Sequence, residues 1–243
     1  MIALLLSLVM AKPTQIDLSV NGVHRTAIVC LPIKSSTGKP PLFIFFHGFG
    51  GTAAKCQRVF QIENRWPNAI VVYPQGISAV LVGHKGIGWD IEGNERNRDV
   101  KFFDALRTKV VRDYHADPNR VFAGGFSNGG MFMYTLWSMR PDKVTAFCCT
   151  GACILSSDVQ LRVPKPAFIT ISGNDNVVPT GYQERACQDA LRVDGATAKG
   201  TQFGPAAEYH KGKRPVVVFR FNGGHSFSLK CLVPMIRFFN SVG

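Results

Sequence analysis

R-V-F-A-G-G-F-S-N-G-G-M-F-M-Y, Arg120 to Tyr134, decides how the chain is read. Val121 to Ala123 is a short apolar run of the kind that builds a buried strand, and from Asn128 to Met139 the pattern becomes helical. At the changeover Ser127 stands between Gly125 and Gly129, which fits G-x-S-x-G with a strand before it and a helix after it. A serine there sits on a turn too sharp for side chains two residues before and two after. The turn lifts the hydroxyl above the sheet edge, and at the helix N-terminus it leaves the Asn128 N–H free to face an oxyanion. The competing reading is a Gly-rich turn with a capping serine. A base and an acid placed in the right order decide between them.

Working outward from Ser127, the rest of the chain supplies the scaffold. Ile16 to Val20 and Val23 to Leu31 flank Asn21-Gly22, the strongest two-residue hairpin signal. Buried-strand runs follow at Leu42 to Phe46, Ala69 to Tyr73, Val144 to Cys148, Ala167 to Ser172 and Val216 to Phe221. Helical patterns lie between several of them: Asp99 to Tyr114, with apolar residues at steps of three and four, then Gly181 to Leu191 and Leu229 to Val242. This alternation predicts an α/β fold with a mostly parallel central sheet, opened by an antiparallel hairpin and covered by helices on both faces. Chemistry then belongs in the loops after the strands.

On such a sheet the partners of the serine follow in the order acid, then histidine. Only His210 and His225 lie far enough along. His210 sits in the charged stretch E-Y-H-K-G-K-R, which reads as a surface loop, whereas His225 in N-G-G-H-S-F directly follows the Val216 to Phe221 run. His225 is therefore the base. Asp175, in I-S-G-N-D-N-V-V-P, follows the Ala167 to Ser172 run, and a short Gly-containing loop lets it reach the second histidine nitrogen. Asp158, after the preceding strand, is the other choice of acid. A second oxyanion donor belongs in H-G-F-G-G-T, His47 to Thr52, where the Phe49 N–H is the candidate and His47 braces the loop. G-H-K-G-I-G-W-D, Gly83 to Asp90, lacks G-x-G-x-x-G and is not a nucleotide loop. Its Trp89 is read either as a substrate-binding wall of the cleft or as an ordinary packed tryptophan.

Taken together, F-F-H-G-F-G-G-T, W-D, D-V-K-F-F-D-A-L, D-P-N-R-V-F-A-G-G-F-S-N-G-G-M, G-N-D-N-V-V-P and G-G-H-S-F resemble the α/β-hydrolase superfamily. More narrowly, they resemble the secreted esterases that include feruloyl esterases, acetylxylan esterases and polyhydroxybutyrate depolymerase-like enzymes. The resemblance implies a serine esterase that needs no cofactor and no metal, with Ser127, Asp175 and His225 as its triad and Phe49 and Asn128 as its oxyanion donors. It also implies an ester substrate, polymeric polysaccharide or polyester among the choices. Where many relatives have Trp-Pro after the histidine, this chain has Ser226-Phe227.

Composition sets the remaining bounds. A chain of 243 residues, 46% hydrophobic and 18% charged, is long enough for one large domain, placed here at residues 12–243. The formal charge of +12 comes from dispersed basic residues without aromatic interleaving, which argues against a nucleic-acid platform. Met1 to Ala11 is too short to span a bilayer, so no stable membrane association is expected; it reads as a signal peptide ending in Val9-Met-Ala11, or as a buried N-terminal element. The signal-peptide reading places the protein outside the cytoplasm, secreted or periplasmic, and would bring two or three disulfides among the seven cysteines. The run C-C-T-G-A-C, Cys148 to Cys153, lacks the paired modules of a zinc site and reads as buried thiols.

Overall fold

The computed structural model describes residues 12–34, 37–196 and 199–243. The signal-peptide reading of residues 1–11 lies outside them. In chain order the elements are β1 (Pro13–Val20), β2 (Val23–Cys30), β3 (Leu42–Phe46), α1 (Ala53–Phe60), α2 (Ile62–Arg65), β4 (Ile70–Pro74), β5 (Ile77–Leu81), β6 (His84–Gly88), α3 (Arg98–Asp113) and β7 (Val121–Phe126). Then come α4 (Asn128–Met139), β8 (Ala146–Thr150), β9 (Ala167–Ser172), α5 (Thr180–Asp194), β10 (Thr201–Gly204), β11 (Ala207–His210), β12 (Val216–Phe221) and α6 (Leu232–Val242).

Among the described residues, ten strands form one sheet in the order β1-β2-β4-β3-β7-β8-β9-β12-β11-β10, and β5 pairs with β6 apart from it. The run from β4 to β12 is parallel throughout. Antiparallel pairs flank it at both edges, the hairpin β1–β2 on one side and β11 with β10 on the other. The expected fold class is thus observed.

Alternation along the strands explains the two-sided core. In β3, Leu42, Ile44 and Phe46 join the apolar cluster that takes in Val100, Phe103 and Leu106 of α3 and Phe132 and Leu136 of α4. Phe43 and Phe45 point the other way, into the cluster built with Cys56 of α1, Ile62 of α2 and Met235 and Phe239 of α6. Because both faces are covered, the parallel strands read as unbroken apolar runs.

The topology brings four loops to one edge. β3 lies between β4 and β7, so strand order reverses there, and the crevice at such a switch point is where ligands bind in open α/β sheets. Phe46 is opposite Gly125, which sets the loop after β3 beside the turn after β7. Phe221 is opposite Ser172, which sets the loop after β12 beside the one after β9.

Some elements differ from expectation. The E-Y-H-K stretch is not a surface loop: Ala207 to His210 form β11, and His210 is 3% exposed beneath its neighbours. The disulfides expected on export do not form in the structure, where all seven cysteines are free, buried thiols. Gly83 to Asp90 contains the whole of β6, and the turn that joins it to β5 carries no Asn-Gly signal to mark the hairpin.

Candidate active site

Ser127 has φ 56° and ψ −123°, a region where a residue with a Cβ is strained, and it caps α4 in name only, since its hydroxyl makes no capping bond. The flanking glycines show what holds it there. A Cβ on Gly125 would lie 2.4 Å from the Gly129 carbonyl group, and one on Gly129 would lie 2.3 Å from the Phe46 oxygen. Backbone passes too close on both sides for any side chain. The Ser127 N–H donates to the Thr150 carbonyl at 2.9 Å and the Thr150 hydroxyl donates to the Gly125 carbonyl at 2.6 Å, so β8 locks the turn from below.

The hydroxyl freed from capping donates to His225 Nε2 at 2.8 Å, and His225 Nδ1–H donates to Asp175 Oδ2, also at 2.8 Å. Asp175 is 6% exposed and fully matched. Its Oδ1 accepts from the Val177 and Val178 N–H groups, both at 2.9 Å, and its Oδ2 also accepts from Gln183 Nε2 at 3.0 Å. Burial pushes the carboxyl pKa up, but the bonds from His225, Val178 and Val177 outweigh it and hold the group below the usual carboxylate range. An ionised Asp175 fixes the proton on His225 Nδ1 and leaves Nε2 free to accept. Of the two acids weighed from sequence, the structure brings Asp175 to the histidine; Asp158 is exposed, with its backbone against Gly93.

The loop after β3 is shaped by His47, which is 3% exposed. Its Nε2 accepts from the Gly76 N–H at 3.0 Å, so the proton sits on Nδ1, which donates to the Gly48 carbonyl at 2.8 Å. Burial lowers its pKa, against the opposing pull of the Gly48 bond and the Asp99 charge, and the ring is neutral at pH 7. In a trans peptide the carbonyl and the next N–H point opposite ways, so holding the Gly48 oxygen turns the Phe49 N–H away from His47. Neither the Phe49 nor the Asn128 N–H donates to a protein acceptor among the described residues. Gly48 lies beside Ser127, where an added Cβ would sit 3.3 Å from the serine Cβ.

Trp89 corrects one expectation. It is 1% exposed and does not line the cleft. Its indole N–H donates to the His47 carbonyl at 2.8 Å, its backbone N–H donates to Asn128 Oδ1 at 2.8 Å, and its ring packs edge-on against Phe46 with centroids 4.8 Å apart. The glycine before it permits this, since a Cβ on Gly88 would lie 2.7 Å from Asn128 Oδ1. Trp89 therefore ties the loop after β3 to the start of α4 and is not part of the cavity wall.

A cavity of about 670 Å³ opens over Ser127 and His225, with Phe49 at its side. Cys153 also reaches it, but burial and then the Asp175 charge push that thiol up to about 11, so it stays protonated beside the serine. Among the described residues no cluster of His, Cys, Asp or Glu could hold a metal ion, and no helix is long and apolar enough to cross a membrane. Gln183, Thr150 and Ser172 were not foreseen. Ser172 anchors the histidine loop by donating to the Gly223 carbonyl. Thr150 and Ser172 close apolar runs and Gln183 sits in the polar stretch Y-Q-E-R, so none of them stands out in the sequence.

Residues 30–193 match a family model described as phospholipase/carboxylesterase. A bifunctional acetylxylan esterase/xylanase of Neocallimastix patriciarum is 32% identical over 47% of this chain, and feruloyl esterase D of Neurospora crassa is 29% identical over 78% of it. The chain spans 16% of the first of these proteins and 66% of the second. Among solved structures, the acetyl xylan esterase of Aspergillus awamori superposes with a TM-score of 0.69 at 14% identity, covering 93% of this chain and 99% of that one. At that identity the likeness speaks for the fold.

Proposed function

This chain belongs to the phospholipase/carboxylesterase family of α/β-hydrolases, and from that premise we propose that it hydrolyses carboxylic esters through an acyl-enzyme on Ser127. The observation that carries the reading is the unbroken relay from the Ser127 hydroxyl through His225 to Asp175, with both bonds at 2.8 Å.

His225 Nε2 takes the Ser127 proton as Oγ attacks the ester carbonyl carbon. The carbonyl oxygen becomes an oxyanion that accepts from the Phe49 and Asn128 N–H groups. His225 then gives the proton to the leaving alkoxide, which departs as the alcohol and leaves the acyl group on Oγ. Water follows the same course: His225 removes its proton, hydroxide attacks the acyl carbon, and the acid is released with Ser127 re-protonated. Asp175 stabilises the imidazolium formed in each half.

The names of the relatives support feruloyl or acetyl esters on plant polysaccharide as the substrate class, with short polyesters as the remaining choice. Residues 12–243 act as one catalytic unit in this reading, and the run before Lys12 directs export. A panel of feruloyl, acetyl and polyester substrates tests it. Wild type turns over at least one class, and Ser127→Ala lowers that turnover by roughly four orders of magnitude or more while the fold persists. Near-normal hydrolysis by that variant would remove Ser127 from the mechanism.

A further inference from the structure

Two of the tight hairpins among the described residues, β1–β2 and β5–β6, have the same turn and different residues in it. Between β1 and β2 the loop is Asn21-Gly22, with φ values of 52° and 78°. Between β5 and β6 it is Val82-Gly83, with φ values of 48° and 80°, closed by the pair Leu81 and His84. Two positive φ angles in a two-residue loop are met by Asn-Gly at little strain, whereas a β-branched residue in that region is an outlier. The chain uses the fitting residue at the first turn and a poorly fitting one at the second.

Packing does not explain the valine. Val82 is 78% exposed, so no core contact compensates for its backbone. Its position is informative: the side chain lines the cavity over Ser127 and His225, together with Leu81 from the same hairpin. From other loops Leu155, Val177 and Tyr182 line the same cavity, and these three are 45%, 64% and 51% exposed. Large apolar groups left in water by separate segments, all at one opening, mark a surface that is meant to be covered. Its continuity with the nucleophile identifies the cover as part of the reacting molecule.

We propose that Val82 is a specificity-determining residue that contacts substrate, and that the β5–β6 tip and the Val177–Tyr182 side of the cleft grip a bulky apolar group, aliphatic or aromatic, of the ester bound at Ser127. This rests on the ester-hydrolase reading above. The strained turn is retained because the branched apolar side chain serves the substrate and not the fold.

Val82→Asn copies the turn at Asn21 and separates the two roles. We expect the variant to melt at or above the wild-type temperature, since its turn residue now fits. Its kcat/KM for a bulky ester should fall about three- to tenfold, mainly through KM, because two methyl groups leave the apolar contact. For methyl acetate, which is too small to reach the rim, kcat/KM should be unchanged. Two arms assign the side: 4-nitrophenyl octanoate against acetate varies the acyl group, and cyclohexyl acetate against methyl acetate varies the alcohol. Loss confined to either bulky arm supports the proposal and says which half of the ester the clamp holds. An unchanged ratio of bulky to small substrate, or an equal loss on all esters, overturns it while leaving Ser127 chemistry in place. Wild-type protein that hydrolyses none of these esters overturns the ester-hydrolase reading itself.

Discussion

Asp175, between β9 and α5, and Asp194, at the end of α5, are both buried carboxylates, 6% and 0% exposed, and they are treated in opposite ways. Asp175, after β9, accepts from two backbone N–H groups, from Gln183 and from His225. Asp194, at the end of α5, has no well-formed hydrogen bond to either oxygen among the described residues. Burial pushes Asp194 up to about 7, offset only in part by the Lys165 N–H and the charges of Arg214 and Lys213. Desolvation pushes Asp175 up as well, but there the hydrogen bonds outweigh it. Burial alone therefore does not set the character of a carboxylate; the donors aimed at it decide whether desolvation prevails. Four converging donors on one aspartate and none well formed on the other show where the fold has committed its polar groups.

The largest expected effect separates the two by chemistry. Asp175→Asn should reduce ester turnover by about 10⁴-fold with substrate binding retained, because an amide stabilises the wrong histidine tautomer. Asp194→Asn and Asp158→Asn should leave turnover within a few-fold of wild type. Steady-state kinetics on the three variants checks this, and a collapse in Asp194→Asn with Asp175→Asn spared would reverse the comparison.

A smaller effect separates them by pH. Asp194 has a raised folded pKa, so its favourable contribution is complete below about pH 4 and is lost as pH rises through about 7. Asp175 has a lowered one, so its contribution is present above about pH 4 and is lost as pH falls through its folded value. Denaturant unfolding of wild type and Asp194→Asn across pH 4 to 8 should show the variant gaining on the order of a few kcal/mol relative to wild type by pH 8. The difference between wild type and Asp175→Asn should instead shrink only in acid. Parallel curves in both comparisons would mean that the two carboxylates do not differ.

Much of the candidate site was legible in the sequence because its residues sit where apolar runs end. Ser127, Asp175 and His225 each follow such a run, and the order of serine, acid and base needed no distances. Glycines at 125 and 129 carried the turn, since close backbone approach leaves no other residue possible there. The rest failed for physical reasons. Trp89 in a Gly-rich loop looks like a free aromatic face, but the glycines that suggested exposure are what let the backbone close over it. His210 lies among charged residues, yet at the end of β11 its ring is covered, packed close beside Gly200. Hairpin β5–β6 stayed hidden because its turn uses valine where the geometry favours asparagine.

The central claim is that Ser127 alone among the hydroxyls and thiols of this chain is made nucleophilic by His225 and Asp175. Treating the native protein with a fluorophosphonate, digesting it and locating the added mass tests this directly. One phosphonyl group per chain is expected, carried on the Ser127 hydroxyl, with no label on protein unfolded before treatment. A folded, ester-hydrolysing protein that remains unlabelled at Ser127, or carries the group on Cys153 or another residue, would contradict it.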